Sequence, residues 1–256
     1  SGAETALTRC LVLNERFYRD QRETTHRAAY ECFDALEAGG LKSALVHSEL
    51  SSLLVQAAVS GYDHPPQRTM QQALDQARKS VELAPTSPYA HRAMGYVLAH
   101  TASPEEALRW TRKAYELNSF DLSMAASYGY RLIFAARYAE GTQVMQRAIA
   151  ATSSHPTWWD YGLFLGLLME GDMRAASNAV SALGSSTRAH YLSARLIAAD
   201  ALGASQEAAE LITELQTEHR SFAANPERFF LRGNYPGDLT ARLVEALRRA
   251  GLMDAG

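Results

Sequence analysis

Small residues at fixed spacing on paired amphipathic stretches constrain this chain most. Between Pro88 and Ser119, Gly95 is followed by Ala107 twelve positions later and by Ala114 seven after that. Ala90, Met94, Gly95 and Leu98 recur every three to four positions, the period of a helix with one buried face. Ser103-Pro104-Glu105-Glu106 then opens a second helix: serine is a good N-cap, proline fits the first helical position, and Glu106 stands three residues after the cap. Two antiparallel helices that cross closely admit only Gly, Ala or Ser at the crossing. Larger residues fill the space between successive pairs.

The unit resembles the tetratricopeptide (TPR) repeat of about 34 residues. Further copies can be traced. Gln72 to Pro85 reads as a second helix with Ala73, Ala77 and the family's Leu-x-Pro close, after a first helix Lys42–Ser60 and a long loop Gly61–Pro66. Leu122–Ile149 places Gly129, Gly141 and Ala148 in small slots around the turn Ala136–Tyr138. Thr157–Leu183 turns at Gly171–Met173, and Thr187–His219 turns at Leu202–Gly203. Glu4–Tyr18 and Arg22–Ala38 make a degenerate first hairpin. Asn225–Phe230 reads as a short turn of helix, and Asp238–Ala250 as a last helix capped by Asp238 and stopped by Gly251. The expected fold class is all-α: a TPR-like α-α superhelix (solenoid) of about six hairpins over residues 4–224, shielded by a capping segment and helix over 225–256. Residues 1–3, which lack a methionine, read as a cloning scar on a piece of a longer protein.

Bulk properties remove several function classes. A formal net charge of −3 gives neither the basic footprint of a nucleic-acid binder nor a polybasic membrane patch. No apolar run approaches the ~20 residues of a spanning helix, and Leu163–Met169 suits a buried helix instead. Cys10 and Cys32 form no CxxC pair; they read as two small buried thiols, or as a bridge across one hairpin. Phosphate-loop, nucleophile-elbow, zincin and dinucleotide-binding motifs are missing from the sequence, and the histidines are scattered. His47 and Glu49, two apart on one helix, point to different sides. Neither catalysis, a cofactor nor a metal is expected.

Two further runs narrow the resemblance. His155-Pro156-Thr157-Trp158-Trp159-Asp160-Tyr161 and Asn225-Pro226-Glu227-Arg228-Phe229, followed by Pro236–Leu252, resemble the C-terminal TPR region of bacterial class III adenylyl cyclases and OmpR-type winged-helix regulators. That resemblance implies an interaction or sensory module beside an effector, in a bacterial signalling or transcriptional regulatory protein. It implies a cytoplasmic location, or a periplasmic one where a membrane helix lies upstream. The TPR register would place Tyr89, Arg92, Tyr96 and His100, then Tyr130 and Phe134, then Trp158 and Tyr161, along a concave groove. Aromatic residues and arginine dominate interface hot spots, so the expected ligand is a protein or peptide offering an apolar or amphipathic segment. Two alternatives stand beside it: a small-molecule sensor enclosed by the same aromatics, and a homodimerisation module. Trp158 and Trp159 are adjacent, so one is expected to pack inward while the other points away.

Overall fold

The computed structural model describes residues 2–184 and 186–253. Ser1 of the expected scar and residues 254–256 of the expected capping segment lie outside the described residues. Among the described residues every element is an α-helix. They run α1 (Gly2–Asp20), α2 (Glu23–Ala38), α3 (Ala44–Ser60), α4 (Met70–Leu83), α5 (Pro88–Thr101), α6 (Pro104–Leu117), α7 (Leu122–Phe134), α8 (Tyr138–Ala150), α9 (Thr157–Glu170), α10 (Met173–Ser181), α11 (Ala189–Ala201), α12 (Ser205–Glu218), α13 (Arg220–Ala224), α14 (Pro226–Arg232) and α15 (Gly237–Arg249). The chain falls into two compact units, one up to Tyr128 and one from Gly129 onward, with the division inside α7.

The helix ends follow local chemistry. The Ser103 hydroxyl accepts from the Glu106 amide at 3.2 Å, and Pro104 needs no amide partner at the first helical position. Thr69 and Gln72 form a reciprocal capping box at the start of α4, with the two bonds at 3.1 and 3.0 Å. The helix α15 differs from expectation. Its N-cap is Pro236, which offers no side-chain acceptor, and Asp238 lies inside the first turn. A carboxylate is favoured there by the helix dipole. Its Oδ1 accepts the Tyr138 hydroxyl at 2.6 Å. At the far end Gly251 adopts φ +84°, the left-handed conformation that ends a helix. The tail ahead of α15 is also more helical than the short turn expected, because α13 begins at Arg220.

In the first unit α1 pairs with α2, α3 with α4 and α5 with α6, and α3 also packs on α5. Gly95 sits where α5 crosses α6. A Cβ there would meet the Ala107 carbonyl at 3.1 Å and crowd the Thr111 hydroxyl. The crossing therefore requires glycine. Val55, Ala73, Ala77, Val97 and Ala107 build the core around it, and Cys10, Phe17, Ala29, Phe33, Leu50 and Leu53 build a second one around the first hairpin. Cys10 and Cys32 form a disulfide with their Cα atoms 5.4 Å apart, so the reading of two separate thiols does not hold. Helical register brings both to the seam between α1 and α2, where Cys10 is fully buried.

In the second unit α8 packs on α9, α9 on α10, α10 on α11 and α11 on α12, and α15 lies on α11 and α9. Phe164, Leu165, Leu167 and Leu168 of the apolar run are buried, as a core helix requires. On α15, Leu239, Leu243 and Leu247 face inward, one turn apart each time.

Candidate functional site

In the first unit Tyr89, Arg92, Tyr96 and His100 share one face of α5, three or four residues apart. Tyr89 is 37% exposed, and the Arg92 guanidinium lies 5.5 Å from its ring centroid. Arg92 donates to Glu49 Oε1 at 3.2 Å. Gln56 Nε2 donates to the Tyr96 hydroxyl at 2.7 Å, and the Tyr96 and His100 rings meet edge to face at 5.7 Å. These four residues lie along one side of α5, where Glu49 of α3 links Arg92 to Asn14 of α1.

Glu49 is the residue that periodicity alone passed over. Its exposure is 4%, yet it carries a charge, and two donors hold it: Arg92 from α5 and Asn14 Nδ2 from α1 at 2.8 Å. A buried carboxylate is tolerable only when paired and hydrogen-bonded in this way. Tyr18 of α1 sits beside it. Burial first, and the Glu49 carboxylate second, hold the Tyr18 phenol protonated far above its ordinary range, with Arg92 opposing. The face is thus polar and aromatic with its central charges paired. A sequence signal existed, since Glu49 is the lone carboxylate of α3. His47, two residues away, instead faces α4, where its Nδ1 lies 2.7 Å from Gln76 Oε1.

In the second unit Tyr130 and Phe134 stack at 4.9 Å on α7, and Trp158 of α9 meets Tyr130 edge to face at 5.6 Å. Two of the expected groove residues are not at a surface. Phe134 is 7% exposed and Tyr161 is 1% exposed. The cause lies in the tail: Tyr235 packs on Phe134 at 4.8 Å, and its hydroxyl lies 2.9 Å from that of Tyr161. Trp158 remains half-buried while Trp159 turns inward. His190 lies against Tyr161 at 5.0 Å and Tyr191 at 4.2 Å. Burial, reinforced by Arg188 and His219, pushes its pKa down to about 3, so the ring is neutral.

The His155–Asp160 pair accounts for the His-Pro-x-Trp-Trp-Asp run. His155 Nε2 lies 3.0 Å from both carboxylate oxygens, and its ring stacks on Trp159 at 5.3 Å. Burial raises the Asp160 pKa while His155 opposes the rise. The pair ties the entry loop of α9 to its first turn, a structural task. Among the described residues no group of three His, Cys, Asp or Glu side chains is placed to hold a metal ion. No described helix is long and apolar enough to cross a membrane.

No family model and no curated protein matches this chain. Solved structures do. PilW, a type IV pilus biogenesis factor, superposes over 84% of this chain and 94% of its own, with a TM-score of 0.56 at 17% identity. Pseudomonas aeruginosa PilF matches over 79% of this chain and 92% of its own, with a TM-score of 0.52 at 20% identity. A chain of the APC/C hetero-tetramer Cut9–Hcn1 matches over 91% of this chain, with a TM-score of 0.62 at 14% identity; the matched part is 44% of that chain. At such identities the likeness speaks for architecture and not for partners. With its helices paired as above, the chain has the all-α fold of tetratricopeptide-repeat proteins.

Proposed function

We propose that this chain is a non-catalytic TPR-type module that binds a protein or peptide through the α1–α3–α5 face of its first unit. The observation that carries the reading is the buried Glu49 held between Asn14 and Arg92, whose guanidinium also lies over the exposed Tyr89 ring. Ordered, charge-paired side chains next to an aromatic and an arginine form the kind of preorganised surface that interfaces favour. Because Glu49 neutralises Arg92, the face suits an apolar or amphipathic segment better than a free carboxylate.

The fold supports this role by architecture alone. A place in bacterial signalling or transcriptional regulation rests on the resemblance of the closing segment. The Cys10–Cys32 bridge favours an oxidising compartment, which supports the periplasmic alternative over the cytoplasmic one. The test is capture of partners from the source cell with the full chain and with a Tyr89→Ala/Tyr96→Ala variant. Partner recovery is expected to fall at least about tenfold, as for loss of two aromatic contacts. Recovery of the same partners by a folded variant excludes this face.

A further inference from the structure

Helix α1 is fastened to the rest of the first unit along one face. Its buried residues are Cys10, Asn14 and Phe17, about one helical turn apart each time. Phe17 is held by aromatic packing, with its ring centroid 5.1 Å from that of His26 and 6.5 Å from that of Tyr62. Asn14 is held by its hydrogen bond to Glu49 of α3. Cys10 is held by its covalent bond to Cys32 of α2.

These fastenings are unequal. Asn14 Nδ2 has its acceptor, but Asn14 Oδ1 is buried with no protein hydrogen-bond partner. An unsatisfied buried acceptor opposes docking, because water would satisfy it once the helix lifted. Leu7 and Leu13, both half-buried, add modest apolar area to the segment before Phe17. The bridge lies one turn ahead of Asn14 and ties that segment to α2. Its two sulfurs differ in access: Cys10 is fully buried, whereas Cys32 is half-buried.

We propose that the Cys10–Cys32 bridge is a thiol-controlled latch. Its reduction by a dithiol frees α1 as far as Phe17, withdraws Asn14 from Glu49 and dismantles the α1–α3–α5 face. One thiolate of the reductant attacks Cys32 Sγ, the more accessible sulfur. The S–S bond breaks, and Cys10 leaves as a thiolate that takes a proton from solvent. The second thiol of the reductant then displaces Cys32 from the mixed disulfide. The reductant ends as a disulfide, and the chain gains two electrons and two protons in all. The consequence for partner binding rests on the α1–α3–α5 reading, whereas the release of α1 does not.

The test is NMR of side-chain amides in the isotope-labelled full chain, before and after reduction with dithiothreitol. Asn14→Ala assigns the Asn14 signals. Reduction is expected to speed solvent exchange of the Asn14 amide at least about tenfold, as for a local opening, at unchanged circular dichroism. Gln56 Nε2, which ties α3 to Tyr96 of α5, serves as the control and should keep its exchange rate. Cys10→Ala/Cys32→Ala should reproduce the reduced behaviour without any reductant. Of the single variants, Cys10→Ala leaves the Cys32 thiol, which should react with an aromatic disulfide reagent at least about tenfold faster than the Cys10 thiol left by Cys32→Ala. The proposal is overturned if the Asn14 amide stays protected in the reduced chain, or if Asn14 and Gln56 lose protection together. It is also overturned if the bridge yields to dithiothreitol only in urea that unfolds the whole chain. Unchanged partner capture by Tyr89→Ala/Tyr96→Ala would instead exclude the binding face and leave these amide signals as they are.

Discussion

Asn14 of α1 donates through Nδ2 to Oε2 of Glu49 on α3 at 2.8 Å, and the same carboxylate takes Arg92 of α5 on its other oxygen. Three successive first helices thus share one charge pair. Arg92→Met leaves the buried carboxylate with a single donor. It is expected to lower stability by about 2–3 kcal/mol in urea unfolding, since an uncompensated buried charge costs more than the pair contributes. The Glu49→Gln/Arg92→Met double variant should recover about half of that loss. Strictly additive single effects would show that the two side chains are uncoupled.

The Cys10–Cys32 bridge closes a loop of 22 residues across the first hairpin. Loop-closure entropy gives such a crosslink about 3 kcal/mol. Reduction, or Cys10→Ser/Cys32→Ser, is expected to raise hydrogen exchange across α1 and α2 first. Protection in α9 and α11, which belong to the other unit, should be unchanged. Uniform loss of protection over the whole chain would contradict this.

At the α5–α6 crossing, Gly95→Ala forces its methyl group against the Ala107 carbonyl, 3.1 Å from the new Cβ. Overpacking of this kind costs about 1–3 kcal/mol, and a bulkier Gly95→Val should cost more. Thermal unfolding measures both. A Gly95→Ala protein as stable as the wild type would mean that the two helices separate freely.

His190 gives the chain a pH dependence of definite sign. Its folded pKa of about 3 lies below the ordinary 6.5, so the unfolded chain takes up the proton first. The stabilisation is complete above pH 6.5 and is lost progressively as pH falls from 6.5 toward 3. His26, also shifted down by burial, acts in the same direction. His190→Phe removes one of these groups. Between pH 7 and pH 5 it should lose roughly 1–2 kcal/mol less than the wild type in urea unfolding. An identical pH slope for the two proteins would mean that His190 takes up its proton alike in the folded and unfolded chain.

The helical pairs were legible because each is a local code: the Ser103-Pro104 start, the small residue at Gly95, the loop at Gly61–Pro66. The pairing of Cys10 with Cys32 was not, since spacing fits a bridge and two separate thiols equally well. The fate of Phe134 and Tyr161 was hidden for a different reason. Repeat register places a side chain on a face, but Tyr235 reaches Tyr161 across 74 residues, and no periodicity encodes that meeting. Glu49 lay between these cases. A single acid within an otherwise uncharged, largely small and apolar α3 marks a position that must find a partner, but its partners Asn14 and Arg92 sit 35 residues before and 43 residues after it.

Tyr138 opens α8 and Asp238 opens α15, and the hydrogen bond between them spans 100 residues of sequence. A string of stacked repeats ordinarily frays from its free end, each hairpin melting almost on its own account. Here the last helix is buckled to one of the first in the same unit. Fraying from the C-terminus must break that clasp before any hairpin between can loosen, so the second unit is expected to melt in a single sharp step, as a closed belt gives way all at once.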